Sequence, residues 1–167
     1  MKLSDIDLSN IKLAVFDFDD TLAIHKDRDF MKKHFEAGEE NKISYYADAY
    51  TDPGGFYDET EPCVRSEVLY NFINVLREKK IKMYCLSGMK FSFHLKAKQC
   101  FINKYYGDDI EVITAASQES KLLGIKVLQK LNNCSIDEIL FIDDRQSVID
   151  LLVQGGAKGI LVWDIEM

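Results

Sequence analysis

A doubly wound α/β fold, built on a mainly parallel, Rossmann-like sheet with helices on both faces, is predicted by three features of this sequence. Short apolar runs of strand length recur at 12–17, 81–88, 109–114, 138–144 and 159–163. The segments between most of them carry apolar residues at helical spacing. Strands that alternate with helices in this way pair in parallel, because each return to the sheet needs a crossover. The length, 167 residues, suits one domain with a real core and room for a modest insertion.

Taken in order, residues 1–10 form a polar lead-in, and the first strand then runs to about Asp17. The pattern breaks down over 23–61, which holds a charged stretch, several aromatics and the turn-rich TDPGGFYDET, and is acidic on balance. This segment is expected to be a small cap or long loop inserted into a single 1–167 domain. Regularity returns at Glu61-Pro62, where a helix is expected to begin, since Val64, Val68, Leu69, Phe72, Ile73 and Leu76 recur at helical spacing. It should stop near Lys79-Lys80. After the strand 81–88, Phe91, Leu95, Ile102 and Tyr105 mark a second amphipathic helix ended by Gly107. A third helix is expected from an N-cap at Ser117 through Leu131, carrying Lys121, Leu122 and Leu128. A fourth, with Val148 and Leu152, should stop at Gly155-Gly156 before the last strand, 159–163.

Composition narrows the function classes. A formal charge of -7 argues against broad binding to nucleic acid or anionic membrane, both of which need basic surface. A small phosphorylated substrate remains compatible with it. No stretch approaches a membrane span, and the start of the chain lacks the apolar run of a signal peptide, so a soluble, cytoplasmic protein is expected. Cys63, Cys85, Cys100 and Cys134 have neither CxxC nor zinc-ligand spacing and are expected as buried, reduced thiols. Oligomeric state leaves no trace in the sequence.

The chemistry concentrates where the strands end. In KLAVFDFDDTL, an apolar run breaks into Asp17, Asp19, Asp20 and Thr21. If the chain stays extended, Asp17 and Asp19 point the same way while Phe18 turns back to apolar packing. Two carboxylates sharing a small volume repel unless a cation joins them, typically a hard, oxygen-preferring one such as Mg²⁺. Ligands of parallel sheets bind outside the carboxyl ends of strands. That edge is also where Ser87 with Gly88, Lys121, and the pair Asp143-Asp144 are expected. Taken singly, Ser87-Gly88 reads as a turn, Lys121 as a solvated helix lysine with Lys126 as rival, and Asp143-Asp144-Arg145 as a local ion pair. Their joint alternation with strands is what argues for a site.

In this order the residues resemble the haloacid dehalogenase-like superfamily of hydrolases, most of whose members are Mg²⁺-dependent phosphatases. Asp17-Phe18-Asp19-Asp20-Thr21 matches its first motif, Ser87-Gly88 its second, Lys121 its third and Asp143-Asp144 its fourth. The resemblance covers the core and leaves only the insertion unmatched. It implies a phosphomonoester hydrolase in which Asp17 attacks phosphorus and Asp19 serves as acid and then base. Mg²⁺ would be held by Asp17, Asp19 through its backbone carbonyl, and a carboxylate of Asp143 or Asp144, with Asp143 preferred. Ser87 and Lys121 would take the phosphoryl oxygens, with Gly88 beside them. A receiver domain uses similar residues in the reverse order. Dehalogenase-type branches typically lack an aspartate where this chain has Asp19. A phosphomutase would keep it, and a scaffold protein on this fold would need no site at all.

Overall fold

Four consecutive apolar residues, Leu13–Phe16, form a strand (β1) with all four side chains buried. A strand hydrophobic on both faces belongs in the middle of a covered parallel sheet, and β1 lies there. The computed structural model describes residues 1–26, 60–88, 93–117 and 120–166. Within them a five-stranded parallel sheet is built from β1, β4 (Lys82–Gly88), β5 (Ile110–Ala115), β6 (Ile139–Asp143) and β7 (Lys158–Leu161). Its order is β5-β4-β1-β6-β7. The chain thus builds outward from β1 on one side, then crosses back and builds outward on the other. The order reverses between β1 and β6, the kind of crevice where open α/β sheets bind ligands.

Alternation along each strand divides the core in two. Ala14, Phe16, Met83, Cys85, Leu140 and Ile142 join one cluster, closed by Leu69, Phe72, Ile73 and Leu76 of α1 (Ser66–Glu78) and by Phe101 and Ile102 of α2 (Phe93–Tyr105). Leu13, Val15, Tyr84, Leu86, Ile139 and Phe141 point the other way. They meet Ile125 and Leu128 of α3 (Lys121–Leu131) and Val148, Ile149 and Leu152 of α4 (Gln146–Gln154). Gly124 lets α3 sit close on β4, since a Cβ there would come within 3.0 Å of Leu86 Cδ1. The doubly wound α/β fold expected from the sequence is the fold observed.

Several local expectations change. The helix does not begin at Glu61-Pro62: Thr60–Pro62 is a strand (β3), antiparallel to Ala23–His25 (β2). The residue before a proline is biased toward extended backbone, and Glu61 pairs with Ile24 accordingly. Cys63 N–H then donates to the Leu22 carbonyl, so Val64 precedes α1 and is exposed. The third helix begins at Lys121, with Ser120 rather than Ser117 at the position before it and no side-chain cap. Each serine's hydroxyl oxygen accepts from the other's N–H, closing a turn just before Lys121. Leu131, at the end of α3, is exposed. The last strand stops at Leu161 and passes into a 3₁₀ turn, Val162–Asp164, which takes Trp163 out of the sheet. All four cysteines are free thiols, but Cys100 is exposed rather than buried because it lies on the outer side of α2. Of the expected 23–61 insertion only the two ends are described, paired as β2 and β3; a cap or loop over 27–59 lies outside the described residues, as does the Phe91 start of the second helix. No helix among the described residues is long and apolar enough to cross a membrane.

Candidate active site

The strand that organises the sheet also delivers the first site residue. Asp17 follows β1, and its N–H still donates to the Ile142 carbonyl on β6, which fixes its backbone to the sheet. Its side chain is buried. Lys121, the first residue of α3, is wholly buried, with its ammonium 2.7 Å from Asp17 Oδ1 and 2.7 Å from Asp143 Oδ2. One lysine therefore ties together the ends of β1 and β6. The other oxygen of Asp143, Oδ1, accepts the Arg145 N–H at 2.9 Å. Lys126, the alternative to Lys121, is exposed.

Asp19 is placed differently from the simple alternation expected of a strand. The extended run ends at Phe16, and the chain coils so that the Phe18 carbonyl accepts from the N–H groups of Thr21, Leu22 and Ala23. Asp20 adopts a left-handed φ of 59° within this turn. Aspartate tolerates that conformation better than most residues. The turn sends the Asp19 side chain to a position 61% exposed, while Phe18 stays buried against the edge of Phe101. Asp19 meets Lys98, whose ammonium lies 2.6 Å from Asp19 Oδ2 and 2.7 Å from Ser87 Oγ. Ser87, near the end of β4, is wholly buried, and Gly88 closes the strand.

Lys98 did not figure among the residues singled out from the sequence. It is buried on α2, three residues after Leu95 and four before Ile102, within the stripe that packs toward the sheet. That spacing was the available signal. A lysine on the apolar face of an amphipathic helix must find acceptors, because burying an unpaired ammonium is costly.

Electrostatics follow from burial and crowding. Asp17 is pushed up to about 6, chiefly by burial, with Asp143 and Asp19 adding repulsion and Lys121 pulling it back. Asp144 is pushed up to about 7 by burial and by Asp17 and Asp143, against a smaller opposing pull from Arg145. Burial alone would lower Lys121, but Asp17 and Asp143 outweigh it and hold the ammonium more firmly protonated than usual. One carboxylate oxygen from each of Asp17, Asp143 and Asp144 lies within 4.8 Å of the others. Among the described residues no side-chain donor is bonded to the Asp144 carboxylate. Its backbone is held, since Trp163 Nε1 donates to the Asp144 carbonyl at 3.0 Å and Arg65 stacks over the indole. A converging all-oxygen set with excess negative charge fits a hard divalent cation.

Solved structures place this architecture. A phosphoserine phosphatase, captured as an analogue of its phospho-aspartyl intermediate, superposes with a TM-score of 0.60 at 14% identity, over 90% of this chain and 86% of that one. The chain has the haloacid dehalogenase-like fold. A protein from Bacteroides fragilis assigned as a haloacid dehalogenase-like hydrolase matches with a TM-score of 0.58 at 16% identity, over 89% of this chain and 86% of that one. A haloacid dehalogenase family enzyme from Bacteroides thetaiotaomicron, crystallised as a magnesium complex, matches with a TM-score of 0.52 at 19% identity, over 91% and 93%. No family model matches the sequence, and no curated protein does. On this haloacid dehalogenase-like core, Asp17, Ser87, Lys121, Asp143 and Asp144 all gather at the carboxyl edge, with Asp19 at its rim beside Lys98.

Proposed function

We propose that this protein is a Mg²⁺-dependent phosphomonoester hydrolase acting on a small phosphorylated substrate through an aspartyl phosphate on Asp17. The observation that carries the reading is the convergence of three carboxylates, Asp17, Asp143 and Asp144, two of them tied by one buried lysine, at the point where the strand order reverses. Lys121 occupies Oδ1 of Asp17, which leaves Oδ2 to form the bond to phosphorus. As that bond forms, the bond from phosphorus to the leaving oxygen breaks, and Asp19 gives the leaving oxygen its proton. Asp19 then takes a proton from water, the water oxygen attacks phosphorus, and inorganic phosphate leaves with Asp17 restored. Ser87 donates its hydroxyl proton to a phosphoryl oxygen, and the bare backbone of Gly88 leaves space beside it.

Asp17 and Asp144 would hold the cation, with Asp143 beside them. Both oxygens of Asp143 already accept from Lys121 and Arg145. Its chief task is then to anchor the lysine, which shifts the preferred ligand from Asp143 to Asp144. A bound Mg²⁺ supplies the positive charge that lets an anionic carboxylate approach an anionic phosphate. The magnesium complex and the phospho-aspartyl analogue among the similar structures support the same chemistry here.

The test is turnover of an aryl phosphate with Mg²⁺ and with EDTA, followed by acid quench and mass spectrometry. The expected result is Mg²⁺-dependent release of phosphate and a phosphoryl adduct on Asp17 that Asp17→Asn lacks. An adduct mapped to another residue, or no turnover of any phosphate with Mg²⁺ present, would overturn the assignment.

A further inference from the structure

We infer that Lys98 is a positioning residue that orients both Ser87 and Asp19 for phosphoryl transfer. The inference rests on the phosphatase reading above and adds a group outside the four motif positions that carry it. Its ground is the bridge itself: a buried ammonium, side chain 3% exposed, within hydrogen-bond reach of Ser87 Oγ and Asp19 Oδ2. Three supports hold the ammonium in place. Besides these two oxygens, it lies 4.5 Å from the centre of the Phe18 ring, and Phe18 is itself wedged against Phe101. An ammonium above an aromatic face is attracted to it.

The direction of these bonds decides what the partners can do. A lysine ammonium has three donors and no acceptor. Ser87 Oγ must therefore accept from Lys98, and its own O–H is turned away to donate elsewhere. A phosphoryl oxygen, which only accepts, needs that polarity. On the other side Lys98 occupies Oδ2 of Asp19 and leaves Oδ1 to pass the proton to and from the leaving group and water. Without the tie, Asp19 is a half-solvated carboxylate on a turn, free to rotate away from the leaving oxygen. Displacements of about 1 Å can cost on the order of 10²-fold in rate. Lys98 also fits the charge of the site. Fully ionised, Asp17, Asp19, Asp143 and Asp144 carry four negative charges against the two positive ones of Lys98 and Lys121, leaving the charge of one divalent cation to be matched.

The test compares wild type, Lys98→Met, Asp19→Asn and the double variant, each with aryl phosphate turnover and with Mg²⁺ affinity measured by calorimetry. Lys98→Met is expected to lower kcat by ~10- to 10²-fold, because Asp19 is misplaced. It should also raise KM several-fold, because Ser87 no longer presents its proton, while Mg²⁺ affinity stays within about threefold. In the Asp19→Asn background the kcat loss should shrink to about threefold or less, since residues acting through one another are not additive. A lysine that merely fills the core would instead lower kcat equally in both backgrounds and leave KM alone, and that result would overturn the inference. If Lys98→Met does not fold, Lys98→Arg, which keeps the cation, is carried through the same cycle, with a smaller kcat loss that again vanishes beside Asp19→Asn. An active wild type with unaltered Lys98 variants removes the inference alone, whereas a wild type inert toward every phosphate removes the phosphatase reading and this inference with it.

Discussion

Lys121 and Lys98 each bridge two oxygen-bearing side chains at the same edge of the sheet, but they reach it from opposite faces and in different surroundings. Lys121 comes from α3 into a cluster almost closed to solvent, where both its carboxylate partners are buried. Lys98 comes from α2 and joins a buried hydroxyl to a carboxylate that is 61% exposed. Removing the first strands two carboxylates that water hydrates poorly. Removing the second leaves an aspartate that can hydrate and a serine that keeps a rotatable hydroxyl. The same residue type thus serves charge balance in one place and geometry in the other.

Stability measurements should separate the two most widely. Urea unfolding of Lys121→Met without metal is expected to show a loss of about 3–5 kcal/mol, the range for breaking a buried ion pair. Part of that loss should return with Mg²⁺, which binds only the folded state. Lys98→Met should cost much less, about 1–2 kcal/mol, because Asp19 regains hydration. Equal losses for both variants would show that the two lysines carry the same load.

Charge crowding also singles out Asp144. In the metal-free protein this carboxylate is crowded by Asp17 and Asp143. Asp144→Asn should leave the metal-free fold as stable as wild type or more so, by up to about 2 kcal/mol, the usual pattern when a strained functional group is relieved. It should at the same time abolish Mg²⁺ binding. Trp163, the single tryptophan, reports on this directly through its bond to the Asp144 carbonyl. Its fluorescence is expected to change on Mg²⁺ addition in wild type and not in the variant; an undiminished response in Asp144→Asn would remove that residue from the ligand set.

The smallest effect belongs to an ion pair away from the edge. Arg77 grips Asp109 through two nitrogens, Nε at 2.8 Å and a terminal nitrogen at 2.6 Å, and this bond holds the Asp109 carboxyl below its ordinary 3.8. A depressed carboxylate contributes stability above the unfolded value and loses it as pH falls through the folded one. Asp109 is 42% exposed, so screening limits the contribution to under about 1 kcal/mol. Asp109→Asn should therefore unfold at slightly lower urea than wild type at pH 7, and the gap should close below pH 3.8. A gap that persists there would point to packing rather than charge.

Legibility in the sequence tracked how locally each feature is determined. The five strands of the parallel sheet were readable because an apolar run of strand length has few alternatives, and their parallel order followed from alternation with helices, whereas β2 and β3 were not. Asp17, Asp143 and Asp144 could be located because each lies where a strand gives out. Asp19 could not be placed by alternation: the extended run ends at Phe16, and a carbonyl that accepts three N–H groups redirects the chain. The helix start at Ser66 was missed because Pro62 is equally at home before a helix and in a short strand, and only pairing with Ala23 decides between them. Lys98 was hidden for a related reason. Its partners come from β4 and from the turn after β1, and nothing in the neighbouring residues of α2 names them.

The position of β1 between β4 and β6 also bears on how the chain is made. During synthesis, Leu13–Phe16 emerges long before the strand that completes its second side, Ile139–Asp143. Until then one side of the innermost strand is an open apolar edge, a template for pairing with other chains. Long-range parallel pairing of this kind is slow to form because the intervening chain must first be closed. A ribosome stalled before residue 139 would therefore carry a fragment with an open strand edge, and with Asp17 but neither Asp143 nor Asp144 beside it.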